Sequence, residues 1–282
     1  MNTASSGINI LFDNCPYADY NATVTLGDLD IMRNTLNNVT NRCLNLSYTV
    51  DANDTSTANI GRAVVKDNIL DGGLGVYFYK SADEDPSATL NFENPFIETN
   101  TITSVEEGIF LEGLDNATVQ GNIIEQSNRG FHLLNTSDNT FLSNLVYDGV
   151  AEHGAGMYCN NGFPVNKNCT FTGNTGTVSG GGLYCLNGSD ATIIDSIFHG
   201  NTASVGPEIY LLDTSSLDIS YTNLQFGQAG IYVSSGTVTW GTGMIDSDPL
   251  FVSGPGGNHY LSQFAAGQSE ESSCLDAGSD SA

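Results

Sequence analysis

Two groups of residues in this chain have types and spacings that could do chemistry. The first is Glu125, Tyr147, Thr172 and His199, each one place past an apolar residue of a recurring unit, with Asp148, Glu152 and His153 in a nearby turn. A carboxylate pair beside an imidazole can pass protons to and from a glycosidic bond. Glu125, Asp148, Glu152, His153 and His199 are therefore the candidate catalytic residues. The second group gathers Asp13, Asp19, Asp51, Asp54, Asp83, Glu84 and Asp85 near Tyr17, Tyr20, Tyr48, Tyr77 and Tyr79. Carboxylates bond sugar hydroxyls and aromatic faces stack on sugar rings, so these five tyrosines are candidate carbohydrate contacts. Asp51, Asp54, Asp83 and Asp85 are also hard oxygen ligands suited to Ca²⁺. The plainer reading of both groups is a polar exterior, because alternate residues of a strand that packs on one face must meet water.

The charge balance removes other classes. Seven Lys and Arg stand against 32 Asp and Glu, a formal charge of −25. A nucleic-acid groove needs clustered basic residues, and an anionic membrane surface would repel this chain. A polyanionic sugar would need bridging cations. No apolar run approaches the roughly 20 residues of a membrane helix, and Met-Asn-Thr-Ala-Ser-Ser is not a signal peptide. Eight Asn-x-Ser/Thr sequons, beginning at Asn21, permit glycosylation on export without requiring it.

None of the six cysteines makes a Cys-x-x-Cys pair, which disfavours a zinc ribbon or a thioredoxin motif. Cys159 and Cys185 share a repeat position and would stack within disulfide range. Cys159 can instead close a loop with Cys169, or the thiols can stay free in a core. A Cys15–Cys43 bridge between adjacent coils would fit an oxidising compartment.

The elements that must position these groups come from an internal repeat. Gly-apolar-x-apolar recurs at Gly7, Gly75, Gly108, Gly130, Gly156, Gly182 and Gly230, with weaker copies at Arg42 and Glu208. The steps are 35, 33, 33, 22, 26, 26, 26 and 22 residues. An Asn-x-apolar signature precedes most copies, at Asn34, Asn68, Asn100, Asn122 and Asn144, and drifts to Cys169, Ser196 and Asn223. Short alternating runs bounded by Gly and Asn read as strands and corners. A unit this small cannot bury its own inward side chains, whereas units stacked in parallel can.

The spacing thus predicts an all-β, right-handed parallel β-helix, a single-stranded solenoid of about nine coils and roughly 43 Å long. Residues 1–245 would form it, with longer coils and inserted loops over 1–107 and regular coils over 108–245. Residues 246–282 would close it. Inward ladders are expected at Ile102, Ile124, Val146, Phe171 and Phe198, and at Leu111, Leu133, Cys159, Cys185 and Leu211. An Asn ladder is expected at Asn100, Asn122 and Asn144. The insertions, which follow the same strand each time, should stack into one wall.

Phe171-Thr-Gly-Asn174, Gly180-Gly-Gly-Leu-Tyr and Phe198-His-Gly-Asn201 resemble the Phe-x-x-Asn and Gly-Gly-x-Ile repeats of polymorphic outer-membrane proteins. The ladder from Gly7 to Val233 resembles the broader pectate-lyase-like superfamily. Asp246-Ser-Asp-Pro-Leu-Phe-Val, His259-Tyr-Leu-Ser and Cys274-Leu-Asp-Ala-Gly278 are similar to the closing stretch of bacterial surface β-helix proteins. The resemblance implies a fold that hosts lyases, hydrolases, epimerases, adhesins and tailspikes. The motifs of its known enzymes are missing: Arg62 and Arg129 have no matching Asp cluster, and Asn135-Thr-Ser-Asp and His153-Gly only echo hydrolase signatures. The expectation is a secreted or cell-surface segment of a longer chain with neighbouring domains. It would display an acidic, tyrosine-bearing wall to a glycan or to Ca²⁺, without catalysis. The alternatives are a polysaccharide lyase or glycoside hydrolase, and a structural stalk.

Overall fold

A computed structural model describes residues 7–12, 17–18, 23–52, 57–84, 89–254 and 257–279. Its frame is a right-handed parallel β-helix with three sides. On the first side, nine strands pair in one parallel series that starts at Ile8–Phe12 and ends at Ile231–Val233. The second side runs from Leu29–Met32 through Thr118–Gln120 to Gly236–Trp240. The third runs from Thr35–Leu36 through Ile123–Glu125 to Asn223–Leu224.

Period-two alternation decides which residues enter the cylinder. Ile102, Ile124, Val146, Phe171 and Phe198 stand in register on the third side, all buried. Leu111, Leu133, Cys159, Cys185 and Leu211 do the same on the first. Burying each large apolar side chain contributes about 1.5–3 kcal/mol, and each packs on a like neighbour above and below. The repeated glycine is a steric requirement. A Cβ on Gly182 would lie 2.6 Å from the carbonyl oxygen of Glu208 in the next coil.

At one corner the amides of Asn34, Asn68, Asn100, Asn122 and Asn144 form a continuous chain. Each Nδ2 donates to the next Oδ1 at 2.9–3.0 Å. From Asn68 to Asn144 these side chains are buried. Nδ2 of Asn144 then faces Sγ of Cys169 at 3.8 Å, where the amide file stops.

Two sets of extra residues leave this frame. Those of the first three coils follow the first side, and Thr23–Leu26, Thr57–Ile60 and Thr89–Phe92 pair as a small parallel sheet. In the 26-residue coils the additions fall between the third side and the first. There Val150–His153, Thr175–Ser179 and Thr202–Val205 form a three-stranded arm. The C-terminal segment folds back along the third side. Its hairpin pairs Phe251–Gly254 with Gly257–Leu261. Asn223 Nδ2 donates to Ser247 O at 2.9 Å, and Ser279 Oγ to Asp195 at 2.8 Å.

Candidate functional site

The outer face of the first side carries one file of rings. Tyr77, Phe110, His132, Tyr158, Tyr184, Tyr210 and Tyr232 occupy the outward place between the two apolar residues of successive strands. His132 stacks on Phe110 with centroids 4.1 Å apart and planes within 4°. Tyr158, Tyr184, Tyr210 and Tyr232 stack at 5.4, 5.2 and 5.1 Å, close to the strand spacing. Stacking occupies the faces of the inner rings; Tyr158 and Tyr210 offer solvent part of their rims, whereas Tyr184 is buried. Tyr232, the last, is 45% exposed. The arm runs beside this file: the His153 ring lies 4.9 Å from that of Tyr184.

Near the middle of the file is a polar cluster. Arg129 Nη1 pairs with Glu107 Oε1 at 2.9 Å, and its guanidinium lies 4.4 Å from the centre of the Tyr158 ring. His132 Nδ1 lies 3.3 Å from Glu107 Oε2, and neither atom makes a well-directed hydrogen bond. An open hollow of about 420 Å³ adjoins the cluster, with Glu106, Glu107, Arg129, Val150 and Glu152 in its lining. A guanidinium, a carboxylate and an imidazole beside aromatic rims can hydrogen-bond a polar, hydroxyl-rich ligand. The tyrosines of this file are visible in the sequence as the third residue of Gly156-Met-Tyr-Cys, Gly182-Leu-Tyr-Cys, Glu208-Ile-Tyr-Leu and Gly230-Ile-Tyr-Val. His132 holds the same place in Gly130-Phe-His-Leu, whereas Glu107 and Arg129 carry no such signal.

The residues singled out from sequence take other places. Glu125, Tyr147, Thr172 and His199 do form one file on the third side. Glu125 and His199 are three strand steps apart, about 14 Å, too far for joint proton transfer. The folded-back C-terminal segment also covers this file. The His259 ring packs 4.4 Å from Tyr147, and burial lowers the pKa of both His259 and His199. Burial, with a hydrogen bond to Glu125, raises that of the Tyr147 phenol. Asp148 sits in a left-handed corner at φ 55°. Glu152 and His153 lie 3.6 Å apart on the arm, away from that file. The five candidate catalytic residues are not brought together.

Among the carbohydrate candidates, Tyr48 is corrected. It is 2% exposed and packs between Phe78 and Phe92, with centroids at 5.5 and 5.2 Å. Two residues past Leu46, it falls on the inward phase of its strand, and burial pushes its phenol up to about 12. Tyr77 donates to Glu112 Oε2 at 2.9 Å and lies under the Arg42 guanidinium, so its face is taken. Tyr79 stacks beside it at 6.3 Å. Tyr20, Asp54 and Asp85 lie outside the described residues, as do the side chains of Tyr17, Asp51 and Asp83. Among the described residues no group of three or more His, Cys, Asp or Glu could hold a metal ion.

Cys43, Cys159, Cys169 and Cys185 are buried free thiols, and Cys274 is a half-buried one. Cys159 and Cys185 are register partners in adjacent coils. Burial, with their mutual contact, raises the Cys159 pKa well above that of an exposed thiol. The Cys43 thiol donates to Gly72 O at 3.1 Å, and Cys15 lies outside the described residues. No helix among the described residues is long and apolar enough to cross a membrane.

A family model described as a right handed beta helix region matches residues 27–198, more than half of the chain. No curated protein and no solved structure matches it. The matched stretch contains the asparagine ladder, the glycine file from Gly75 to Gly182 and most of the stacked rungs, and the chain belongs to the right-handed β-helix family.

Proposed function

We propose that the outer face of the first side binds an extended, neutral polysaccharide outside the cell. The observation that carries this reading is the tyrosine file, Tyr158 to Tyr232, at one ring per coil. A linear glycan laid along the cylinder axis would meet the open rims of Tyr158, Tyr210 and Tyr232, with the buried Tyr184 ring joining them in the stack. The half-open ring of Tyr232 offers a stacking platform at one end, and Arg129 and Glu107 offer charged hydrogen-bonding groups nearer the other. Aromatic rings with polar tips suit such a ligand, because they bury apolar area and keep a hydrogen-bonding group in water. The charge of −25 favours a neutral chain over a uronic one.

Calorimetric titration with neutral and uronic polysaccharides tests the proposal. The expected result is binding to a neutral chain, weakened at least tenfold in Tyr210→Ala/Tyr232→Ala. Both positions lie outside the core, so that variant keeps its fold. Unchanged binding in the double variant, or binding only to uronic chains, would overturn the reading. Release of reducing ends or of unsaturated product in the same samples would replace binding by catalysis.

A further inference from the structure

The step in coil length between Arg129 and Val150 leaves a strand edge open. The coil ahead of it passes from the third side to the first directly, through Ser127, Asn128 and Arg129. The next coil detours through the arm strand Val150–His153. Among the described residues that strand pairs only with Thr175–Ser179, on its other side. Toward the shorter coil, Val150 N donates to Ser127 O at 2.9 Å, and the ladder resumes only where Gly130 N donates to Ala155 O at 2.8 Å. Between those two bonds no backbone pair crosses among the described residues; the Arg129 side chain donates from Nε to His153 O at 3.4 Å, which leaves the backbone groups of Glu152 as the open part of the edge. The hollow of about 420 Å³ lies against this gap.

The side chains around the gap set its chemistry. Glu106 and Glu152 are exposed and Glu107 is half-buried, giving three carboxylates against the one guanidinium of Arg129. Val150 is 54% exposed at the lip. An unpaired edge with an adjoining groove is the arrangement that accepts an added strand, through backbone hydrogen bonds with alternate side chains read by the groove. A second copy of this acidic chain would be repelled, as would an anionic surface.

We infer that this ledge takes an extended, basic peptide segment of another protein as an added strand beside Val150–His153. The ledge shares Glu107 and Arg129 with the proposed glycan face, but its open backbone, Glu106 and Glu152 lie off the tyrosine file, so Glu106→Gln/Glu152→Gln tests it apart from the glycan reading.

The test titrates isotope-labelled protein with acetyl-Lys-Val-Lys-Val-Lys-amide and follows backbone amide signals. The expected result is a shift of the Glu152 amide, whose N–H points to the open edge, whereas the Ala151 amide points to the Thr175–Ser179 strand. Binding should weaken at least tenfold in Glu106→Gln/Glu152→Gln, both exposed positions that leave the fold intact. Two further probes carry N-methyl groups on alternate residues, one set per peptide edge. Blocking one edge should abolish binding and blocking the other should leave it within twofold. Simple charge attraction to an acidic protein would treat both N-methyl probes alike. That outcome, or the absence of a shift at Glu152, would overturn the inference.

Discussion

Asn201 donates from Nδ2 to Oε2 of Glu208 at 2.6 Å inside the cylinder, at the rung where a glutamate stands in the glycine file. Glu208 is 0% exposed, and its Oε1 has no partner. Burial pushes its carboxyl up to about 8, against an ordinary value of 4.5, with Asp246 adding a smaller upward contribution. The folded state therefore holds a proton that the unfolded chain releases at lower pH. The stability contributed by the neutral carboxyl is fully present below pH 4.5 and declines as pH rises from there to about 8. The decline amounts to at most about 5 kcal/mol at 1.36 kcal/mol per unit. Glu208→Gln keeps an acceptor for Asn201 and cannot ionise. Its melting temperature should match that of the unchanged protein at pH 4 and exceed it clearly at pH 9.

The asparagine ladder gives a second prediction. Asn122 accepts from the backbone N and Nδ2 of Asn100, and donates to Ile97 O and Asn144 Oδ1. Asn122→Ala strands several buried polar groups at once, each costing about 1–3 kcal/mol. Asn34→Ala, at the half-exposed end of the file, removes one donor, and Asn68 Oδ1 keeps the bond from the backbone N–H of residue 34. Denaturant unfolding should show a loss of about 3–5 kcal/mol for the first and about 1 kcal/mol for the second.

A third prediction concerns the glycine file. A Cβ on Gly130 would meet Val146 and would lie 2.6 Å from Gly156 O, and both sit in adjacent, fully packed coils. At Gly27 nothing lies within 4 Å of an added Cβ. Gly130→Ala should cost about 3 kcal/mol or more through overpacking, and Gly27→Ala should be neutral within about 0.5 kcal/mol. Equal effects at the two positions would contradict the stacking described here.

The ladders were legible because stacking repeats one environment at every coil, so Ile102, Ile124, Val146, Phe171 and Phe198 had to be alike. The same logic made the tyrosine file visible in principle, because Tyr158, Tyr184, Tyr210 and Tyr232 share one repeat position. Residues that break the repeat were harder to place. Glu107 and Arg129 meet through an ion pair across adjacent coils, with His132 of the ring file beside them, and no periodicity announces that meeting. Tyr48 was assigned to a wall although strand phase from Leu46 sends it inward. The cover over Glu125 and His199 depends on where residues 246–279 fold, which a local pattern does not encode.

That cover should respond to pH in the sense opposite to Glu208. His259 packs against Tyr147 and Phe251, facing Asp148 and Glu125. His199 faces Asp246 and Asp248. Burial lowers both imidazole pKa values, and it outweighs the upward pull of the carboxylates. Docking is thus favoured by the neutral rings. It is complete above the ordinary histidine value of about 6.5 and weakens as pH falls through and below it. Glu208 is protonated under those acidic conditions, so the coils gain stability while the cover loosens. Limited proteolysis at pH 5 should therefore cut within residues 246–279 and spare the cylinder, whereas at pH 7.5 both should resist. In His259→Phe/His199→Gln the rings that must charge are gone, and cleavage at pH 5 should drop to the level seen at pH 7.5. Equal cleavage of the unchanged protein and the variant at pH 5 would show that the histidines do not hold the segment in place.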